Sequence, residues 1–122
     1  MARSTHLVIK LATGVIDAER VAQAFSVAST ALAAGVDVSF WLTGDAAWLS
    51  LPGKAEEFSL PYSAPLHEML AALIANASVT LCTQCAVRRN IMDGDQISGI
   101  RIAGSATFVE EITNEATQAL VY

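Results

Sequence analysis

Two thiols three residues apart, Cys82 and Cys85, are the strongest nucleophiles in the chain. They stand in the run Cys82-Thr-Gln-Cys85-Ala-Val-Arg88-Arg89-Asn90. A thiolate, not a thiol, attacks sulfur, so the chemistry depends on what favours the anion. Ser78-Val-Thr-Leu81 reads as a strand and the residues after Cys82 as the start of a helix. Unpaired N–H groups and the helix dipole at such a junction favour negative charge. Arg88 and Arg89 follow one to two turns later and add positive potential; Arg89, at i+4 from Cys85, shares a helix face with it. This arrangement suits sulfur transfer or disulfide exchange. The competing reading treats both cysteines as small buried hydrophobes, which free cysteines often are. The Cys-x-x-Cys spacing at a strand-to-helix junction favours function. Asp45, at the end of an earlier strand, is a further candidate for orienting a substrate or a base, although Gly-Asp is first of all a turn signal. Thr13, Gly14, Thr43 and Gly44 can offer backbone N–H groups to an anion or a persulfide, but they carry no phosphate-loop fingerprint.

Other chemistries fit poorly. Two cysteines are too few for a disulfide framework and too few for a tetrahedral zinc site within one chain, since His6 and His67 lie in unrelated segments. A metal shared between subunits by cysteines around a symmetry axis is the residual metal reading; no metal and no cofactor are expected. With 7 Lys and Arg against 12 Asp and Glu, the net charge is −5, which disfavours a phosphate backbone as ligand. No apolar run approaches the roughly 18–20 residues that span a bilayer. Met1-Ala2-Arg3-Ser4-Thr5-His6 passes into a strand-like run with no signal-peptide pattern, so a cytoplasmic location is expected.

At 122 residues the chain predicts one domain over 1–122, long enough to bury a real core. His6–Ala12 reads as a first strand and Asp17–Ala34 as a helix, with Val21, Phe25, Ala28 and Leu32 on one face and Gly35 as its stop. Val36–Leu42 is a second strand. Ala46–Pro65, with all three prolines, is the least regular stretch beyond one helical turn around Asp45–Leu51, and a loop this long is usually functional or an interface. Trp48 there, with Leu49 and Leu51, suits a lid over the cysteines or, preferably, a subunit contact. Pro65–Ala77 is a second long helix, Ser78–Leu81 a third strand, Ala86–Asn90 helical, and Gly99–Ile102 a fourth strand. Ser105 or Thr107 is expected to cap a last helix, with Thr107-Phe-Val-Glu110 as a capping box, before a final strand at Ala119–Tyr122. Trp41 reads as core, and the pairs Glu56-Glu57 and Glu110-Glu111 as solvated faces or helix-start charges. His6 and His67 read as ordinary surface or sheet-end residues. Alternation of strands and helices predicts an α/β class: a single three-layer domain with a mostly parallel five-stranded sheet flanked by helices.

A thioredoxin is the first family to test against Cys-x-x-Cys. The motif comes too late in the chain, and no proline follows Pro65 to face the dithiol. The layout instead resembles the DsrE/DsrF-like family, with its TusD-type sulfur-relay proteins. The likeness rests on a strand ending near Gly14, an Ala-rich helix, Ala34-Gly35-Val-Asp-Val-Ser-Phe-Trp-Leu-Thr-Gly-Asp45, and a cysteine followed by small residues and a twin arginine. Asn90 stands where the family has glycine, and Asn is the residue that best replaces glycine in a left-handed turn. The resemblance implies a small sulfur-relay or sulfurtransferase-like protein that carries a persulfide on Cys82 without a cofactor. Cys85 would be a resolving or second carrier thiol, with Arg88 and Arg89 supporting the thiolate. It also implies a homo-oligomer, a trimer or hexamer, that meets sulfur donor and acceptor proteins. The alternatives are a non-catalytic oligomeric binding module on the same fold, or a Cys82–Cys85 dithiol redox switch.

Overall fold

A computed structural model describes residues 5–122 of the chain; the Met1–Ser4 start falls outside them. Five strands form one sheet: β1 (His6–Leu11), β2 (Asp37–Leu42), β3 (Ser78–Cys82), β4 (Arg101–Ala103) and β5 (Thr117–Val121). Four helices connect them: α1 (Ala18–Ala33), α2 (Leu66–Asn76), α3 (Thr83–Arg88) and α4 (Ser105–Ile112). The strand order is β4-β3-β2-β1-β5, and every neighbouring pair is parallel. The expected mostly parallel sheet is therefore parallel throughout. All five strands point their carboxyl ends at one rim, which carries the turns after β1, β2, β3 and β4.

Alternating residues of the central strands divide the molecule into three layers. On one face, Phe40 of β2 meets Phe25 of α1 with ring centroids 4.6 Å apart, and Ile9, Leu11, Leu42, Leu70, Leu73 and Leu81 complete a core under α1 and α2. On the other face, Trp41 meets Phe108 of α4 edge to face at 5.3 Å. Trp41 is a core residue, as expected, but it belongs to the layer opposite Phe40.

The first third of the chain folds as its pattern predicts. Helix α1 ends in a Schellman motif: Val36 N–H donates to Ala31 C=O and Gly35 N–H to Leu32 C=O, with Gly35 at φ +83°. Only a residue tolerant of the left-handed region fits there. Ala46–Pro65 holds more structure than a loop. A 3-10 helix covers Gly44–Ser50 and a single 3-10 turn covers Ala55–Glu57. Ala46, Ala47, Leu49 and Ala55 are buried, so the segment roofs one end of the core.

Three expectations need correction. Helix α3 opens directly after Cys82, as the strand-to-helix junction predicts, but it covers Thr83–Arg88 rather than Ala86–Asn90. Helix α4 begins at Ser105 behind Gly104, with no side-chain cap. The Gly104 carbonyl itself accepts from Thr107 and Phe108 N–H, so Thr107 and Glu110 lie inside the helix and form no capping box. Finally, Glu111 is not solvated. It lies under α4 and accepts hydrogen bonds from Ser39 Oγ and from Trp41 Nε1 (3.2 Å), and it pairs with Arg101 of β4. Burial alone would raise its carboxyl pKa; the hydrogen bonds from Ser39, Arg101 and Trp41 outweigh that and hold it below the ordinary carboxylate value. The sequence carries a signal for this, since Glu111 lies at i+3 from Phe108 on the helix face that packs against the sheet.

Candidate functional site

Strand β3 delivers Cys82 to the carboxyl rim, where its extended backbone (φ −65°, ψ 129°) makes it the N-cap of α3. Cys85 is the third residue of that helix. N-cap and third-residue positions lie on the same side of a helix start, as residues three apart do. Here the two positions are held by thiols, three residues apart at the first turn of α3. The two sulfurs differ in access: Cys82 is half-buried, whereas Cys85 is 8% exposed. Gln84 Oε1 lies 3.7 Å from Cys82 Sγ and accepts from it.

The turn after β2 supplies the next contact. Gly44 N–H donates to Cys85 Sγ at 3.1 Å. Gly44 has φ +53°, and a Cβ there would stand 2.7 Å from Ala12 C=O. Both the backbone conformation and the close approach require glycine at this position. The turn is anchored from below, because Thr43 donates through its N–H and its Oγ1 to the Leu11 carbonyl, each at 2.9 Å. Burial pushes the Cys85 thiol pKa up; the Gly44 N–H pulls it the other way, and the adjacent Cys82 raises it further. Of the four rim residues with backbone N–H groups on offer, Gly44 is thus the one that meets a sulfur.

Arg89 ties this arrangement together. Its Nη1 donates to the Cys85 carbonyl at 3.1 Å and its Nη2 pairs with Asp45 Oδ1 at 2.6 Å. Asp45 therefore reaches the cysteine helix through an arginine rather than facing a sulfur itself. Arg88 does not join them. It is exposed on α3, and its side chain makes no hydrogen bond or ion pair among the described residues. Asn90 takes φ +55° and ends α3 in a second Schellman motif, Ile91 N–H to Ala86 C=O and Asn90 N–H to Val87 C=O. The left-handed conformation expected of a glycine substitute is present.

Beside Asp45, a cleft of about 280 Å³ opens between the turns after β1 and β2, lined by Gly14, Val15, Ile16, Trp48, Leu49 and Phe58 among others. Ile16 is 90% and Trp48 40% exposed. Trp48 thus lines a cleft that flanks Asp45, and neither cysteine is among the residues that line it. The cleft could not be read from the sequence, because it depends on two turns about thirty residues apart being neighbours. His6 stands at the start of β1, at the end of the sheet opposite the cysteines, and His67 in the first turn of α2. Among the described residues, no group of three or more His, Cys, Asp or Glu is placed to hold a metal ion. No helix among them is long and apolar enough to cross a membrane.

Known structures share this architecture. The ychN protein from E. coli superposes with a TM-score of 0.78 at 21% identity over 100% of both chains. MTH1491 from Methanobacterium thermoautotrophicum, described as a protein of unknown function, superposes with a TM-score of 0.66 at 12% identity, over 96% of this chain and 98% of that one. At these identities the likeness concerns the fold. No curated protein matches the sequence. The sequence model of the DsrE/DsrF-like family matches residues 6–121, from the first residue of β1 to the last of β5, and the chain belongs to that family.

Proposed function

We propose that the chain carries a sulfane sulfur as a persulfide on Cys82, in the manner of the sulfur-relay members of its family. The observation that carries this reading is the position of Cys82: an accessible thiol at the end of a strand, on the N-cap of α3, beside a second thiol. The Cys82 thiolate attacks the outer sulfur of a donor persulfide, R–S–SH. A new S–S bond forms to Cys82, the donor's S–S bond breaks, and the donor leaves as its thiolate. Arg89, held by Asp45 and by the Cys85 carbonyl, fixes α3 against the turn after β2 and keeps its positive charge near the thiols. Arg88 contributes at most a diffuse potential.

Donor and acceptor are sulfur-carrying proteins in this reading, and the working form is a homo-oligomer, a trimer or hexamer, in the cytoplasm. The exposed apolar side chains of Val15, Ile16 and Trp48 at the same rim support contact with another polypeptide. The test is intact-mass spectrometry of the reduced protein after exposure to a sulfane-sulfur donor. One sulfur atom should be gained at the earliest times after loading, and it should be lost again on reduction. Cys82→Ser should gain none while keeping its fold and assembly. If the serine variant still carries sulfur and Cys85→Ser does not, the roles are reversed. If no variant gains sulfur, the fold is serving as a binding module.

A further inference from the structure

We infer that Cys85 is a resolving thiol: it discharges the Cys82 persulfide as sulfide and leaves a Cys82–Cys85 disulfide, so that the chain reduces sulfane sulfur as well as carrying it. This rests on the persulfide reading of Cys82. Three observations assign the role. Cys85 is 8% exposed, so its sulfur cannot meet the thiol of a second protein, which a second carrier would have to do. The thiol within reach is Cys82, the N-cap of α3, three residues before Cys85 on the same side of the helix start. Residues at i and i+3 of a helical turn have Cβ atoms roughly 5–6 Å apart, and a disulfide needs about 3.5–4.5 Å. A small shift at the N-cap closes that gap. The third observation is the Gly44 N–H, which donates to Cys85 Sγ at 3.1 Å. That fixed donor offsets part of the burial that otherwise keeps the thiol protonated, and so favours the anion that must form before attack.

In the reaction, Cys85 loses its proton and attacks the inner sulfur of the persulfide, the Sγ of Cys82. The bond between that atom and the outer sulfur breaks, and its electron pair leaves on hydrosulfide, which takes up a proton to become hydrogen sulfide. A Cys82 persulfide and a Cys85 thiol thus become a Cys82–Cys85 disulfide and one molecule of hydrogen sulfide. The sulfane sulfur is reduced and the two cysteines are oxidised. An external thiol or dithiol restores the pair by attacking Cys82, the half-exposed sulfur, because exchange depends on access to the sulfur attacked.

The experiment loads the reduced full-length wild type, Cys85→Ser, Cys85→Ala and Cys82→Ser with inorganic polysulfide. Excess reagent is removed, and free sulfide and intact mass are followed without reductant. Wild type should release one equivalent of sulfide and end two hydrogens lighter than the reduced protein. Both Cys85 variants should keep one extra sulfur and release sulfide at least about tenfold more slowly. Using both variants separates loss of the thiol from any packing effect of either replacement. The inference is overturned if wild type holds its extra sulfur as long as the Cys85 variants do, with no loss of two hydrogens; the carrier reading then stands alone. If the Cys85 variants never gain sulfur, the carrier reading fails, and the inference fails with it.

Discussion

Replacing Glu111 by alanine should cost about 3 kcal/mol, and the loss should depend on pH. Glu111 accepts from Ser39 and from Trp41, whose side chains are 2% and 1% exposed. Removing the carboxylate strands two buried donors under α4, and each unsatisfied group costs about 1–3 kcal/mol. Arg101 is 43% exposed and regains water, so its share is small. For 122 residues, an unfolding entropy of about 2.1 cal/mol/K per residue converts 3 kcal/mol into a fall in Tm of about 12 °C. Glu111→Gln keeps an acceptor for Ser39 and Trp41 and loses only the ion pair, so it should cost about 1 kcal/mol. The pH sign follows from the depressed carboxyl. A group with a lowered folded pKa adds stability above its unfolded value, here 4.5, and that stability is lost as pH falls through the folded value. Calorimetry of wild type and both variants at neutral pH and below pH 4 is the assay. The gap between wild type and Glu111→Gln should be present at neutral pH and close on acidification. A loss below about 1 kcal/mol for Glu111→Ala, or a Glu111→Gln gap that persists through acidification, would refute the account.

Two further predictions concern α3. Asn90→Ala should lower stability by about 1–2 kcal/mol, the cost of a left-handed alanine, while Asn90→Gly should be neutral or slightly stabilising; denaturant unfolding of the pair checks this. Arg89→Ala should slow sulfur loading of Cys82 several-fold while costing less than about 1 kcal/mol of stability, because its partner Asp45 is 63% exposed. Arg88→Ala should change neither quantity, so loading kinetics of the two variants side by side separate the arginines.

What the sequence discloses follows the range over which each interaction acts. The helix α1 and its stop at Gly35 are legible because period and cap lie within a few residues. Cys82, Cys85 and Arg89 are legible for the same reason, since successive helical turns relate them. The Asp45–Arg89 pair and the Gly44 contact span 44 and 41 residues and exist only because β2 lies beside β3, an adjacency no local pattern encodes. The α4 cap misleads because a backbone carbonyl, Gly104, does what Ser105 or Thr107 is expected to do. Glu111 misleads because its partners sit on β2 and β4, and charge on a helix is ordinarily a sign of solvent.

The strand order has a consequence for how the chain reaches this state. β1 pairs on one side with β2 and on the other with β5, so the earliest strand waits for the latest. Pairing His6 with Thr117 closes a loop of about 110 residues, a slow event whose entropy is lost before any contact repays it. During synthesis, β1 therefore exposes a bare row of N–H and C=O groups until the final strand has left the ribosome. A strand edge left open in that interval is a template for pairing with another nascent copy. Truncation within β5 would make that transient edge permanent, so aggregation during expression, rather than lost chemistry, is the failure such a shortened chain should display first.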